Sequence, residues 1–354
     1  MITINELFSG IGAQVAALKR LGIEYETVGI SEIDRFAIQS YEAINGKTRN
    51  YGDISKVESL DYADLWTYSF PCTDISLAGK QAGLTDKTGK QTRSGLLFEV
   101  ERLLKKSVED GNQPKYMLLE NVKNLVGKKF KPEFDTWLQT LDSLGYNNYW
   151  KVLNAKDYGV PQNRERVFVV SIRKDVDTHG YTFPEPFKLN RRLKDVLEKE
   201  VDEKYYLKQD LVDTFIKRLA KREVSNTIRC GGVGSIDQKH TWDLVAEPFV
   251  LEKGIGHNPV SKKFEFDGFH ENKPCPTLLA TDYKCPKCYS DGVRIRKLTP
   301  KECWRLMGFT DEEFEAAKNS GVSNTQLYKQ AGNSIVVSVL AAIFKNMFLK
   351  GETK

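Results

Sequence analysis

The first 172 residues contain short apolar runs, typical of strands, and a segment in which apolar residues recur at the spacing of a helix. Ile2 to Phe8 and Tyr116 to Leu119 are predicted strands, the second of them continuously apolar. Apolar residues from Leu96 to Leu104 recur at helical spacing, and Ser94 precedes them as a predicted N-cap. Strands that alternate with helices are typical of an α/β domain, so we predict a doubly wound, mostly parallel sheet.

Four predicted strands of this domain each end in a polar or reactive group. The first runs into the glycine turn Ser9-Gly10-Ile11-Gly12-Ala13, and the others lead to Glu32, Cys72 and Glu120. Because the carboxyl ends of parallel strands meet at one edge of a sheet, these groups are predicted to surround a single cleft. An isolated cysteine is more often a buried structural residue. The convergence of the four strand ends favours a reactive role for Cys72.

The glycine turn and two carboxylates indicate a nucleoside ligand without a diphosphate. Gly10 and Gly12 let the backbone approach a ligand closely, but Val15 stands where a dinucleotide fingerprint needs a third glycine. Glu32 follows the glycines at about 20 residues, the spacing expected of a carboxylate that accepts from ribose hydroxyls. Asp53 follows a turn and could accept a hydrogen bond from an exocyclic amine.

Composition limits the class of protein. A chain of 354 residues, 40% hydrophobic and 29% charged, is long enough for roughly two globular domains. Six cysteines are too few for a disulfide framework, which indicates a reducing compartment. No secretory signal is visible, and the apolar stretch Ile335 to Phe344 is too short to span a bilayer. We expect a cytoplasmic protein without a membrane partner, and the net charge of +5 permits a polyanionic partner.

From Arg173 the pattern changes to short, irregular segments rich in turns, which predicts a second, smaller domain. Thr299, Pro300 and Glu302 then form the signal of a helix N-terminus. The predicted boundaries are 1–172 plus 326–354 for the first domain, 173–293 for the second, and 294–325 for a hinge that returns to the first.

Cys285 and Cys288 have the spacing of half a zinc site. A second pair at finger spacing is missing, so a turn explains them better and we predict no metal site.

A thiol, a carboxylate, a nucleoside cofactor and arginines together fit the methylation of carbon 5 of a pyrimidine. Addition of the Cys72 thiolate to carbon 6 would make carbon 5 nucleophilic towards a sulfonium methyl, and Glu120 would stabilise the charge that develops on the ring. Thiolate is scarce at neutral pH, so Arg166 is the candidate for a nearby positive charge. Arg164 and Arg166 alternate along an extended chain, so one could grip a phosphate and the other could face the cleft, although paired surface arginines in a salt-bridged edge strand are the ordinary alternative. The target base must be flipped out of a duplex.

Six motifs stand in the order found in the cytosine-5 DNA methyltransferases, and the chain resembles that family over nearly its whole length except the interior of the second domain. The motifs are Phe8 to Gly12, Phe70 to Cys72, Glu120 to Val122, Gln162 to Arg166, Arg296 to Phe309, and Gln330 to Ser334. Two positions depart from the common pattern. Ile33 replaces an aromatic residue under the adenine, and Thr73 replaces a glutamine after the nucleophile.

The resemblance implies a class I S-adenosylmethionine-dependent methyltransferase fold, S-adenosylmethionine as methyl donor, and target recognition by the second domain. It implies a specific double-stranded DNA sequence as substrate, in a bacterial restriction system or a phage. The implied catalytic residues are Cys72, Glu120, Arg164 and Arg166. The implied cofactor-binding residues are Phe8, Gly10, Gly12, Glu32, Ile33, Asp53, Ile54, Pro71, Leu96 and Asn333. The implied DNA-binding residues are Ser76, Arg164 and Thr277.

Three alternatives remain beside a DNA methyltransferase. A transfer-RNA cytosine methyltransferase would share the chemistry, but the large basic second domain favours DNA. A DNA-binding module without catalysis is disfavoured by the intact set of Cys72, Glu120 and Arg166, and a nicotinamide dehydrogenase by Val15. We expect a monomer, with a companion restriction endonuclease as a possible partner.

Overall fold

The structure is a computed structural model, and it describes residues 1–76, 82–85, 91–187, 190–206, 275–276, 288–290 and 295–349. The strands are β1 Ile2–Leu7, β2 Tyr25–Ser31, β3 Leu65–Tyr68, β4 Tyr116–Val122, β5 Tyr146–Asn154, β6 Gln162–Asn163, β7 Glu165–Arg173, β8 Cys275–Pro276, β9 Cys288–Ser290 and β10 Ile295–Lys297. The α-helices are α1 Ala13–Arg20, α2 Arg35–Asn45, α3 Leu97–Glu109, α4 Lys131–Ser143, α5 Pro300–Leu306, α6 Asp311–Asn319, α7 Asn324–Asn333 and α8 Val337–Phe348.

The chain divides into two compact units. The first contains Met1–Asn154, Glu165–Pro186 and Ile335–Lys354, and the second contains Ala155–Arg164 and Phe187–Ser334. The first unit thus extends beyond the predicted boundary at residue 172 and resumes nine positions after the predicted residue 326. A ten-residue segment after β5 also belongs to the second unit.

A six-stranded sheet in the order β2-β1-β3-β4-β7-β5 forms the centre of the first unit. Strands β2, β1, β3 and β4 are parallel to one another, whereas β7 is antiparallel to both β4 and β5. Strands β2 and β3 lie on opposite sides of β1, so the winding of the sheet reverses there. This is the position at which open α/β sheets form their ligand crevice. The predicted α/β class with a mostly parallel sheet is confirmed.

Both faces of this sheet are covered. On one face, Tyr68 of β3 and Leu119 of β4 pack in a core with residues of α3 and α4, and Trp137 of α4 donates its indole N–H to the Tyr68 hydroxyl at 3.1 Å. On the opposite face, Tyr41 of α2 donates to Glu6 of β1, and α1 packs against α8. The sheet therefore forms a rigid support for the segments that leave its ends.

Two predicted helix starts have different outcomes. The signal at Thr299 is confirmed, because its hydroxyl accepts from the Glu302 N–H at 3.2 Å and the Glu302 carboxylate accepts from the Thr299 N–H at 2.7 Å. The prediction at Ser94 is wrong. Ser94 lies in a short 3-10 turn, and α3 begins after Leu96 without a side-chain cap.

The described part of the second unit contains two small sheets and a buried ion pair. Strand β9 pairs antiparallel with β10, and β6 pairs parallel with β8. Arg296 of β10 makes a bidentate contact with Glu302, at 2.7 and 2.9 Å. Most of the predicted recognition region, including Cys285 and Thr277, lies outside the described residues, so the interpretations of those positions stay predictions.

The segment Asn324–Phe348 is long and apolar enough, by length and composition, to cross a membrane. It consists of α7 and α8 and is longer than the stretch from Ile335 considered above. Of its most apolar window, 56% is buried inside the protein, as in the core helix of a soluble protein. The segment is therefore only a weak indication of a membrane span.

Candidate active site

The strand register brings four chain segments to one edge of the sheet. Leu7 of β1 pairs with Ser31 of β2 and with Tyr68 of β3, and Tyr68 pairs with Leu119 of β4. These positions are followed by the glycine turn, by Glu32 and by Glu120. They are also followed by residues 70–76, which form the Cys72 loop. The four strand ends thus converge as the sequence predicts.

Glu32 holds the glycine turn in place. Its Oε2 accepts a hydrogen bond from the Gly10 N–H at 2.9 Å, and its Oε1 accepts from the N–H groups of Ile33 and Asp34, both at 2.8 Å. Phe8, at the start of the turn, has φ of 59° and is the single non-glycine residue with positive φ among the residues the structure describes. Such a conformation is costly, and it occurs mainly where surrounding structure enforces it at a ligand site.

The two glycines of the turn have different surroundings. A Cβ atom added to Gly10 would meet no atom within 4 Å, so this position faces open space. A Cβ atom on Gly12 would lie 2.7 Å from the side-chain nitrogen of Asn45 and 2.9 Å from the Tyr41 ring. Gly12 therefore permits close packing of the turn on α2, while Gly10 leaves room for a ligand.

The remaining predicted cofactor residues of the first unit differ in accessibility. Ile33 is 72% exposed beside Glu32. Asp53 accepts from the Ser55 hydroxyl at 2.8 Å and from its N–H at 3.1 Å, and these hydrogen bonds lower the pKa of the Asp53 carboxyl. Pro71 and Leu96 are half-buried. The side chain of Ile54 is buried in the core, so its predicted contact with a ligand is restricted to the backbone.

Cys72 lies in a turn outside the apolar core. Its half-buried thiol is not part of a disulfide, and its carbonyl accepts from the N–H groups of Ile75 at 3.1 Å and Ser76 at 2.7 Å. Cys303, which is also outside any disulfide, is in contrast buried. The partial exposure of Cys72 does not fit the alternative of a structural cysteine in the core.

Glu120 and Arg166 form an ion pair with 3.2 Å between Oε1 and Nε, and their side chains are 10% and 16% exposed. The antiparallel register pairs Glu120 with Phe168 and Val122 with Arg166, which makes Glu120 and Arg166 diagonal neighbours on the same face. Arg166, whose positive charge is predicted to favour the Cys72 thiolate, thus pairs with the Glu120 carboxylate instead. An arginine in this position orients Glu120 and keeps its charge compensated in a poorly solvated place.

Arg164 has a different environment from the one predicted. Its side chain is 4% exposed, and Nη2 donates to the carbonyl oxygens of Gly332 at 3.2 Å and Ser334 at 2.8 Å, within the second unit. A guanidinium buried in this way exposes little surface to a DNA phosphate, and the DNA contact and catalytic role of Arg164 stay predictions. Its contacts instead connect β6 with the end of α7.

Three other predicted positions are placed as follows. Ser76 is half-buried at the end of the Cys72 turn, and Asn333 is exposed as the last residue of α7. Thr277 lies outside the described residues. Within the described ranges, no group of three or more His, Cys, Asp or Glu side chains could hold a metal ion. The roles of Ser76, Asn333 and Thr277 stay predictions.

Sequence reasoning missed two polar residues beneath the glycine turn. Glu6 is fully buried in β1, and the Tyr41 hydroxyl donates to its Oε2 at 2.5 Å. The available signal was an acidic residue on a strand whose other residues form the core. A carboxyl at such a position needs a partner, and only the fold identifies Tyr41 as that partner.

The fold and the site together define an α/β protein with a partly exposed thiol, an arginine-paired carboxylate and an open glycine turn at one sheet edge. The model of the C-5 cytosine-specific DNA methylase family matches residues 2–349, and the chain belongs to this family. It is a DNA (cytosine-5-)-methyltransferase, which confirms the predicted fold, enzyme class and family.

Named relatives support this assignment over nearly the full chain. The chain is 36% identical over 403 aligned residues to the type II methyltransferase M2.ScrFI of Lactococcus lactis subsp. cremoris, covering 98% of this chain and 99% of that protein. It is 32% identical over 441 aligned residues to the orphan methyltransferase M.SPBetaI of Bacillus phage SPbeta, covering 98% and 97%. The Dnmt2 methyltransferase of S. pombe has a TM-score of 0.65 with 19% identity over all of both chains, a likeness of fold alone.

Proposed function

We propose that the protein transfers a methyl group from S-adenosylmethionine to carbon 5 of cytosine in a specific double-stranded DNA sequence. The observation that carries this proposal is the placement of the partly exposed Cys72, the Glu120–Arg166 pair and the open glycine turn at one edge of the sheet. A base must leave the duplex to reach groups held in this way.

The proposed step at the base is a covalent addition. The Cys72 sulfur bonds to carbon 6, and the electron pair of the 5,6 double bond becomes available at carbon 5. Glu120 donates a proton to ring nitrogen 3 as the sulfur adds, which neutralises the negative charge that develops on the ring, and it takes this proton back once carbon 5 has accepted the methyl group. After methyl transfer, a base removes the proton from carbon 5, and the carbon–sulfur bond breaks to restore the aromatic ring. Arg166 keeps Glu120 in position throughout.

The residues around the glycine turn fit S-adenosylmethionine, which supplies a sulfonium methyl group as the electrophile. Gly10 leaves open space, Ile33 offers an exposed apolar surface for the adenine, and Asp53 can accept from its exocyclic amine. Glu32 is already oriented by three backbone N–H groups, and a carboxylate has capacity for further donors such as ribose hydroxyls.

The cellular setting of the proposal follows from the relatives. Their names include type II methyltransferases and orphan phage methyltransferases, so we assign the protein either to the modification arm of a restriction system or to protection of phage DNA. A companion endonuclease is expected in the first case only. We further propose that the protein acts as a monomer in the cytoplasm and that residues 173–293 read the target sequence.

The test is the variant Cys72→Ser, with Cys303→Ser as the matched control, because Cys303 is likewise outside any disulfide and lies in the second unit. Bisulfite sequencing of plasmid from cells that express each protein reports activity, base and target site together. We expect site-specific cytosine methylation by the wild type and the control, and none by Cys72→Ser at an unchanged circular dichroism spectrum. Methylation retained by the folded Cys72→Ser variant contradicts the covalent mechanism.

A further inference from the structure

A single buried hydroxyl holds the Cys72 loop from one side. Ser94 is fully buried, and its Oγ donates to the Pro71 carbonyl at 2.7 Å and accepts from the Asp74 N–H at 3.1 Å. These two peptide groups lie immediately before Cys72 and two residues after it. The hydroxyl therefore bridges the backbone across the nucleophile. Since Ser94 does not cap α3, this bridge is the contact its side chain makes.

The segment that follows Glu120 holds the same loop from the other side. Asn121 donates its side-chain N–H to the Phe70 carbonyl at 3.0 Å, and Asn124 donates to the Ile75 carbonyl at 2.6 Å. The two accepting carbonyls lie on either side of Cys72. The chain that carries the carboxylate thus grips the chain that carries the thiol at two points.

We propose that Ser94 and Asn124 are positioning residues that hold the Cys72 thiol in register with Glu120. The inference deepens the proposed function and rests on it, because the thiol and the carboxylate must engage carbon 6 and the opposite edge of one base together. Misplacement by about 1 Å of a group that must meet a bound substrate can cost about 100-fold in rate. Each amide or hydroxyl lost here also leaves a backbone group of the loop without its partner.

The variants are Ser94→Ala and Asn124→Ala, each with a control that removes the same atoms elsewhere in the first unit. Ser107→Ala removes a buried hydroxyl of α3 that donates to the Leu104 carbonyl at 2.8 Å, and Asn112→Ala removes an amide that donates to the Leu60 carbonyl at 3.3 Å.

Methyl transfer kinetics provide the first measurement. We expect the two loop variants to lose about 10- to 100-fold in kcat while KM for the methyl donor stays within about 3-fold, and the controls to keep kcat within about 2-fold. The rate of covalent trapping on DNA that contains 5-fluorocytosine should fall in parallel with kcat. Urea unfolding midpoints, measured alongside, establish that the enzyme is folded under assay conditions.

Alkylation of Cys72 by iodoacetamide, followed by peptide mass spectrometry, gives a measurement that needs no enzymatic activity. Release of the loop should raise the alkylation rate of Cys72 at least about 3-fold in both loop variants and leave the controls unchanged. Wild-type protein that neither methylates nor traps DNA would refute the proposed function. The alkylation rates would even then test whether Ser94 and Asn124 hold the Cys72 loop in place. Loop variants that match their controls in kcat, or that match them in alkylation when no activity exists, overturn the inference.

Discussion

The burial of Glu6 should make the free energy of unfolding depend on pH. Its carboxyl lies on β1 directly beneath the glycine turn, and the Tyr41 hydroxyl donates to it. Loss of solvation raises the pKa of Glu6 from 4.5 to about 7, against the smaller opposing effects of the Tyr41 hydrogen bond, the Val15 backbone and the charge of Lys19. The neutral acid is therefore the form that suits the folded state.

The direction of the pH effect follows from this shift. The folded-state pKa lies above the unfolded value of 4.5, so the stability linked to Glu6 is fully present below pH 4.5 and is lost as the pH rises through about 7. One pKa unit corresponds to about 1.4 kcal/mol, so the rise from 4.5 to about 7 amounts to about 3–4 kcal/mol at most. Above neutral pH the protein carries this cost in full.

The substitution Glu6→Gln keeps the shape and an acceptor for the Tyr41 hydroxyl but removes the titration. Urea unfolding at about pH 5 and about pH 8 should show that the variant gains stability relative to the wild type between the two values, by up to about 3 kcal/mol. Glu26→Gln, which alters an exposed carboxyl of β2, is the control. A variant-minus-wild-type difference for Glu6→Gln that is the same at both pH values would refute the reasoning.

Three further predictions concern the site. Gly12→Ala should cost more than about 2 kcal/mol in urea unfolding, because the new Cβ would overlap two side chains at a φ of 81°, whereas Gly10→Ala should cost about 1 kcal/mol from backbone strain alone. Arg164→Ala should lower the free energy of unfolding by about 3 kcal/mol, because its contacts with two carbonyl oxygens are lost. The salt dependence of DNA binding should stay unchanged, and a shallower salt slope would show that Arg164 contacts a phosphate after all. Arg166→Gln should lower kcat about 100-fold by releasing Glu120, and a rate within a few-fold of wild type in steady-state assays would contradict the orienting role.

Local signals in the sequence were enough for the sheet and for the main reactive groups. Apolar runs locate β1 and β4, and because parallel strands end at a common edge, the sequence alone places Cys72 and Glu120 together. The capping box at Thr299 is likewise confirmed, since its hydrogen bonds join residues three apart.

Other features depend on partners that are distant along the chain. The antiparallel insertion of β7 between β4 and β5, the partner of Glu6 and the change in the role of Ser94 from helix cap to loop anchor have no local signature. Arg164 and Arg166 lie two residues apart in one motif, yet one is buried against backbone carbonyls and the other pairs with Glu120.

The sequence by itself thus determined which chemical groups this protein brings to the carboxyl edge of its sheet, because strand direction and motif order are written in neighbouring residues. Only the tertiary structure decided what each side chain touches and how much water reaches it. Hydrogen-bond partners, burial and pKa depend on residues that come together from distant parts of the chain.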